Sequence, residues 1–207
     1  MFIFRAFIYL IALAGVAYLI GLEGYEFKTL AEYNENTLTE HMQDILTLSS
    51  SLLFLYAARL DDKLKVASTM LAALLAMMFV RESDSLLDQN VYDGAWETLV
   101  LCIGIALAFF LRGKFSTIYS SLKTYSETAC YGTFLAGLVV LLAFSRVMGR
   151  GSFWTSVMGE NYMRIVKNIV EEGTETLGYT LIFISAIELV LICRKRLHTL
   201  TNTNVIK

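Results

Sequence analysis

Residues 169–193 read IVEEGTETLGYTLIFISAIELVLIC, a stretch that is long and apolar enough to cross a lipid bilayer as one helix. Acidic residues stand at its beginning, and the basic run Arg194–Arg196 follows its end. Comparable apolar segments occur at about 2–22, 41–60, 66–83, 96–112 and 129–147. The sequence therefore predicts an all-α, polytopic membrane helical bundle with about six transmembrane helices, forming one integral membrane domain over residues 1–207.

The composition favours a membrane protein and argues against a nucleic-acid partner. Of the 207 residues, 56% are hydrophobic and 17% are charged, and the formal net charge is -2. The basic tracts with interleaved aromatic residues that bind nucleic acid do not occur. The alternation of polar and apolar residues that is typical of a membrane β-barrel is not visible either. Since helices and closed barrels are the two structures that satisfy backbone hydrogen bonds within lipid, this favours helices. The predicted partners are the lipid bilayer and either further copies of the chain, as a homo-oligomer, or another membrane subunit.

Lysine and arginine residues set the predicted orientation. With the N-terminus inside, most of the 17 basic residues lie on the cytoplasmic side, and the bias is clearest in the loop around Lys63 and in the tail after Cys193. Both termini are therefore predicted to face the cytoplasm (N-in/C-in). The sequence contains no N-x-[ST] glycosylation motif, which favours a bacterial inner membrane.

Short acidic motifs mark one end of several apolar segments. They are Glu40-His41-x-x-Asp44, Arg81-Glu82-x-Asp84 and Glu171-Glu172-x-x-Glu175. In the predicted orientation these motifs all lie toward the outside. A helical rise of roughly 28 Å separates Glu175 from Arg194, close to the hydrocarbon thickness of about 30 Å. Because charge at this depth is costly, an unpaired acidic cluster there predicts a functional site.

The acidic motifs predict a cation site near the outer membrane face. Its candidate ligands are Glu40, His41, Asp44, Glu82, Asp84, Glu172 and Glu175. Carboxylates with at most one imidazole suit a divalent metal ion such as Mg, Ca, Mn or Fe, and no other cofactor is predicted. Clustered acids at low dielectric could instead share a proton. The predicted function is ion binding or translocation, or metal-assisted chemistry on a membrane substrate.

No motif identifies catalytic residues. The chain has no G-x-S-x-G, no H-E-x-x-H and no glycine-rich phosphate loop. The Glu-x-x-His motifs of di-metal helical bundles are also missing, because Glu40 and His41 are adjacent and Glu172-x-x-Glu175 contains no histidine.

A second interpretation keeps the acids structural. The basic residues at the same predicted level could pair with them: Arg81, Arg146, Arg164 and Lys167. The chain would then be a non-catalytic structural or accessory subunit of a membrane complex. Other acids, above all those of the loop Glu23–Glu35, would form an aqueous rim.

Two further patterns concern packing. Small residues four apart, in Ala17/Gly21, Gly104/Ala108 and Gly132/Ala136, predict either close helix contacts or a homo-oligomer. Residues 113–127 carry apolar side chains at helical spacing, which predicts an amphipathic segment along the inner membrane interface.

Overall fold

The computed structural model describes residues 2–26 and 37–205, and within these ranges every regular element is helical. The elements are α1 (Phe2–Glu26), α2 (Leu38–Leu60), α3 (Lys65–Glu82), α4 (Asp84–Asn90), α5 (Ala95–Leu111), α6 (Phe115–Ser126), α7 (Cys130–Val139), a π-helical turn (Val140–Phe144), α8 (Ser145–Met148), α9 (Gly151–Met158), a 3-10 turn (Gly159–Asn161) and α10 (Arg164–Val205). Each predicted apolar segment lies mainly within a helix, so the all-α class is confirmed.

Three stretches in the described ranges are long and apolar enough to cross a membrane: Ile3–Tyr25, Cys130–Met148 and Arg164–Thr199. The count becomes four if α5 and α6, which meet at 102°, form one bent span. Charged residues stand at both ends of the 18-residue α3, polar and charged side chains interrupt α2, and α5 has only 17 residues. The helices thus support a membrane protein with three or four candidate spans, fewer than the sequence predicts.

The chain divides into two compact units. The first unit comprises Met1–Gln43 and Leu135–Ile184, and the second comprises Asp44–Phe134 and Ser185–Lys207. Helices α2, α7 and α10 contribute residues to both units, whereas α1 belongs to the first and α3 to α6 belong to the second. That the whole chain forms one membrane domain stays a prediction.

Two glycines let α7 and α10 approach closely in the first unit. A Cβ atom at Gly137 would lie 2.8 Å from the carbonyl oxygen of Gly178. A Cβ atom at Gly178 would lie 2.6 Å from Cγ of Leu141. Neither position has room for a side chain, and small residues are what close helix contacts in membranes require.

The glycines that the sequence pattern singled out lie elsewhere. A Cβ atom at Gly21, Gly104 or Gly132 would have nothing within 4 Å. Of the two predicted alternatives, close contacts within the chain are therefore not found at these glycines in the described ranges, because a four-residue spacing does not reveal which face of a helix meets a neighbour. Their role in a homo-oligomer stays a prediction.

Aromatic rings form the core of the second unit. Phe54 is fully buried, and its ring meets those of Tyr125 and Phe134 edge to face, with centroids 6.4 and 5.6 Å apart. Tyr131 packs against Tyr125 in the same manner at 5.8 Å. This geometry suits the quadrupoles of aromatic rings, so the cluster joins α2, α6 and α7 by packing.

Serine hydroxyl groups add hydrogen bonds between the helices of the second unit. Ser51 in α2 donates to the carbonyl oxygen of Ala72 in α3 at 2.9 Å. Ser121 in α6 donates to the carbonyl oxygen of Lys63 at 2.8 Å and accepts a bond from the N–H of Ala67 at 3.0 Å. Small polar side chains commonly join membrane helices in this way.

Candidate functional site

Glu40 caps the beginning of α2. The Thr37 hydroxyl accepts a hydrogen bond from the Glu40 N–H at 3.1 Å, and the Thr37 N–H donates to the Glu40 carboxylate at 3.2 Å. This reciprocal pair is a capping box, in which a threonine and the glutamate three residues later satisfy N–H groups at the helix start. The sequence carries this signature, and the assignment of Glu40 as an ion ligand did not take it into account.

Thr39 joins α2 to α1 within the first unit. Its N–H donates to the Glu23 carboxylate at 3.2 Å, and its hydroxyl donates to the same carboxylate oxygen. Thr39 is buried and Glu23 is half-buried. Glu23 is therefore a hydrogen-bond acceptor between helices and not part of the predicted aqueous rim. Residues 27–35 of that predicted rim lie outside the described residues.

Gln43, one turn further along α2, joins this helix to α10. Its side-chain amide donates to the backbone carbonyl of Glu172 at 3.1 Å and to the Thr176 hydroxyl at 3.2 Å. Thr176 in turn donates to the Glu172 carbonyl at 2.8 Å. Gln43 and Thr176 are both buried. These three residues are termed the polar seam.

Glu175 is the one acidic residue that is buried among those the structure describes, with 8% of its surface exposed. Nη2 of Arg146 in α8 lies 2.5 Å from its Oε1 atom. The Arg146 side chain is half exposed, so the ion pair is open on the arginine side. Arg146 is the second residue after the π-helical turn, and such a turn shifts the direction of the side chains that follow it.

Glu171 forms a second ion pair, but within its own helix. Nζ of Lys167, four residues earlier in α10, lies 2.5 Å from Oε2 of Glu171. Both side chains are about one-fifth exposed, at 19% and 21%. A pair at this spacing supports the helix locally. The Glu171 carboxylate also lies against Gly149, where an added Cβ atom would stand 2.6 Å from its Cδ atom.

Two candidate acids of the second unit have partners as well, one from another helix end and one from a chain neighbour. Asp44 in α2 accepts a hydrogen bond from the Ser83 hydroxyl at 3.4 Å. Glu82 lies 3.3 Å from the guanidinium group of its chain neighbour Arg81. Asp84 is exposed in the first turn of α4, where the free N–H groups of a helix favour negative charge.

The structure brings together only part of the predicted ligand set. In the first unit, Glu172 and Glu175 lie on α10, Glu40 caps α2, and His41 is exposed. In the second unit, Asp44 accepts a hydrogen bond from Ser83, which stands in the chain between the other two candidates, Glu82 and Asp84. Across residues 2–26 and 37–205, no three histidine, cysteine or acidic side chains are placed to hold a metal ion. The divalent ion stays a prediction.

A narrow cleft adjoins the polar seam in the first unit. It is lined by Ile20, Glu23, Gly24, Thr39, Ile169 and Glu172. The cleft has no room for a sphere the size of a water molecule. It is therefore a packing gap and not a binding cavity.

The residues that the ligand assignment missed are polar but uncharged. Thr39, Gln43 and Thr47 follow one another at intervals of four along α2, and all three are buried. On α10, Thr176 and Thr180 repeat the same spacing and are also buried. The sequence could have revealed these residues, because uncharged polar residues four apart in an apolar helix share one helix face and so indicate a polar contact with a neighbour.

Comparison with known proteins finds no matching family model, no matching curated protein and no matching solved structure.

Proposed function

We propose that this chain is a non-catalytic membrane protein, a structural or accessory subunit, whose acidic side chains fasten its helices. The observation that carries the proposal is the pairing of buried Glu175 with Arg146 at 2.5 Å. A carboxylate near hydrocarbon needs a positive partner, and here a side chain of the same chain supplies it. The ion pair joins α8 to α10 within the first unit, so the charge stabilises a helix contact.

The other acids of the motifs support the same interpretation. Glu40 is engaged at a helix cap, Glu171 pairs with Lys167, and Asp44 accepts a hydrogen bond from Ser83. Each of these contacts fixes a helix end or a helix turn. Acids that serve as caps and ion-pair partners need no bound ion to be stable at their positions.

A cation or proton site is the second candidate function, and a separate observation favours it. Buried polar side chains continue along α10 from Glu175 through Tyr179 and Thr180. The π-helical turn before Arg146 is also a feature that often accompanies functional sites. In this alternative Glu175 exchanges a proton, or it binds a divalent ion such as Mg, Ca, Mn or Fe, while Arg146 moves aside.

The six-span, N-in/C-in arrangement in a bacterial inner membrane belongs to the same proposal. Helix lengths support it, because the 23, 18 and 17 residues of α2, α3 and α5 extend roughly 34, 27 and 26 Å. These lengths are close to the hydrocarbon thickness of about 30 Å. A reporter that is active only in the cytoplasm should work when it is fused to either terminus. Activity at one terminus alone would contradict an even number of spans.

Glu175→Gln distinguishes the two candidate functions. If Glu175 is a fastener, the variant loses about 2 kcal/mol of unfolding free energy in detergent, because a charge-assisted hydrogen bond is lost and Arg146 is left without its partner. Glu171→Gln is the matched control on the same helix. It should lose less than Glu175→Gln does, because its ion pair lies within one helix.

The same two variants test the ion-site alternative. Elemental analysis of the purified protein and proton uptake by proteoliposomes should give the same result for the wild type and for Glu175→Gln. A metal ion or a proton flux that is present in the wild type and absent only in Glu175→Gln, with the unfolding free energy unchanged, would reject the structural proposal in favour of the second candidate.

A further inference from the structure

Helix α6 bends sharply away from α5, the apolar helix that precedes it. The axes of α5 and α6 form an angle of 102° across a short break. Gly113 lies in this break with a φ of +76°, a left-handed conformation that glycine adopts without strain. If α5 is oriented across a bilayer, α6 runs roughly parallel to the membrane plane.

One face of α6 is attached to the rest of the second unit. Ser121 is buried and bonds to the backbone of Lys63 and Ala67, as described above. Tyr125, one turn later, is buried in the aromatic cluster. The helix is therefore held in place by a polar contact and an aromatic contact on the same side.

The face of α6 that adjoins this attached side carries large apolar side chains that are exposed. Phe115 and Tyr119 are each 75% exposed, and Leu122 is 36% exposed. Their spacing of four and then three residues places them in one stripe on the helix surface. An aromatic stripe on an exposed helix parallel to a membrane suits the boundary between acyl chains and headgroups.

The charge around the stripe is positive. Arg112, Lys114 and Lys123 lie along or beside α6, and no acidic residue occurs between positions 112 and 126, although the exposed Glu127 follows. Nζ of Lys114 lies 3.7 Å from the centre of the Phe110 ring, a cation–π contact that still leaves the ammonium group donors for another partner.

The acids of the neighbouring turn do not neutralise these residues. Ser121 bonds to the carbonyl oxygen of Lys63, so the turn that contains Asp61 and Asp62 lies beside α6. Asp61 pairs with Arg196 at 3.0 Å, and Asp62 pairs with Lys65 at 3.9 Å. Among the described residues, neither Lys114 nor Lys123 forms an ion pair with these two acids or with Glu127.

We propose that α6 is an interfacial helix, with its aromatic stripe in the acyl boundary and with Lys114 and Lys123 bound to the phosphate groups of anionic lipids. Basic residues beside an apolar helix face recognise an anionic lipid surface by this combination of burial and charge. The inference rests on the membrane location of the chain. It does not depend on whether the acids of the first unit are fasteners or an ion site.

The depth of α6 gives the first test. A nitroxide label is attached at Tyr119→Cys in a Cys102→Ala background, since Cys130 and Cys193 are buried and shielded from the reagent. Collision rates with oxygen and with a nickel chelate should place this label about 5–10 Å below the phosphate level. A second label at Leu101→Cys, an exposed position within α5, should lie deeper. Equal depths would indicate a bent span, and a label that contacts only the aqueous chelate would indicate a solvated helix; either result overturns the proposal.

The lipid charge gives the second test. Thermal unfolding is followed in nanodiscs of phosphatidylcholine with and without phosphatidylglycerol. The anionic lipid should raise the thermal unfolding midpoint of the wild type. For the double variant Lys114→Gln/Lys123→Gln, the increase in the midpoint should be at most half as large. Lys114→Arg/Lys123→Arg is the matched control and should keep the rise, because the charge is conserved.

The difference between the two lipids is the measured quantity, so a general loss of stability in the glutamine variant does not affect the result. Should that double variant fail to fold, Lys123→Gln alone, at an exposed position, should lose part of the rise. A rise that is the same for wild type and glutamine variants would overturn the proposed lipid contact.

Discussion

The two units of the chain hold their helices together by partly different contacts. In the first unit, the Arg146–Glu175 ion pair, the Gln43 amide and a close contact of two glycines join neighbouring helices. In the second unit, edge-to-face aromatic rings and serine hydroxyl groups do so, and the Asp61–Arg196 ion pair at 3.0 Å adds a further contact. Both units therefore contain an ion pair between distant parts of the chain; the first adds close backbone approach, and the second adds an interlocked aromatic core.

This contrast shows two solutions to one physical problem. Apolar side chains gain little by leaving lipid for a protein interior, so membrane helices need packing and polar contacts to associate. An ion pair supplies a strong contact whose cost appears as soon as one partner is removed. Interlocked rings supply many weak contacts that are lost together when a large side chain is truncated.

The largest expected effect lies in the second unit, in Phe54→Ala. Phe54 is fully buried between two other rings, so its truncation leaves a cavity and should lower the unfolding free energy by about 3 kcal/mol. Phe109→Ala removes a ring of the same size that is 68% exposed and should change stability by less than about 0.5 kcal/mol. Denaturant titration in detergent measures both. Equal losses would show that the ring cluster does not hold the second unit together.

A smaller effect is expected in the first unit from Gly178→Ala. The added Cβ atom would lie 2.6 Å from Cγ of Leu141 and 3.1 Å from the backbone oxygen of Gly137, so α7 and α10 must separate. We expect a loss of about 2 kcal/mol, which is typical of overpacking. The control is Gly132→Ala, whose Cβ has open space and which should be neutral or slightly stabilising. Thermal unfolding midpoints compare the two. A neutral Gly178→Ala would mean that this crossing is not tightly packed.

Ser121→Ala is expected to have the smallest effect of the three. It removes the bond to the Lys63 carbonyl and leaves the Ala67 N–H without its acceptor, for a loss of about 1 kcal/mol. The neighbouring Ser120 bonds only locally to Thr117 and is exposed, so Ser120→Ala should be close to neutral. Unfolding free energies of Ser121→Ala and Ser120→Ala, measured in the same detergent, test this prediction. If Ser121→Ala leaves the unfolding free energy unchanged, the serine hydroxyl group does not stabilise the second unit.

The sequence predicted the helices well because hydrophobic periodicity and length are local properties. The segment predicted at 66–83 is the helix Lys65–Glu82, and the segment predicted at 96–112 is Ala95–Leu111. The amphipathic segment predicted at 113–127 corresponds to Phe115–Ser126. The short helices α4 and α9 were not predicted, because their sequences are too short to show a period.

The partners of the acids could not be predicted from the sequence in the same way. The sequence offers Arg146 as a possible base, but it follows a π-helical turn, which shifts the direction of later side chains and which no local residue pattern predicts. Gln43 and Thr176 were within reach of sequence analysis, since buried polar residues at four-residue spacing mark a shared helix face. The cap at Glu40 also has a sequence signature, a threonine followed three residues later by a glutamate.

The central claim is that Arg146 and Glu175 act on each other as a structural pair, and a double-mutant cycle tests it most directly. Unfolding free energies are measured in one detergent for the wild type, Arg146→Gln, Glu175→Gln and the double variant. We predict that the double variant is no less stable than Glu175→Gln alone, with a coupling energy of about 1–2 kcal/mol. Single losses that simply add, with a coupling energy near zero, would contradict the claim and leave Glu175 without a fastening role.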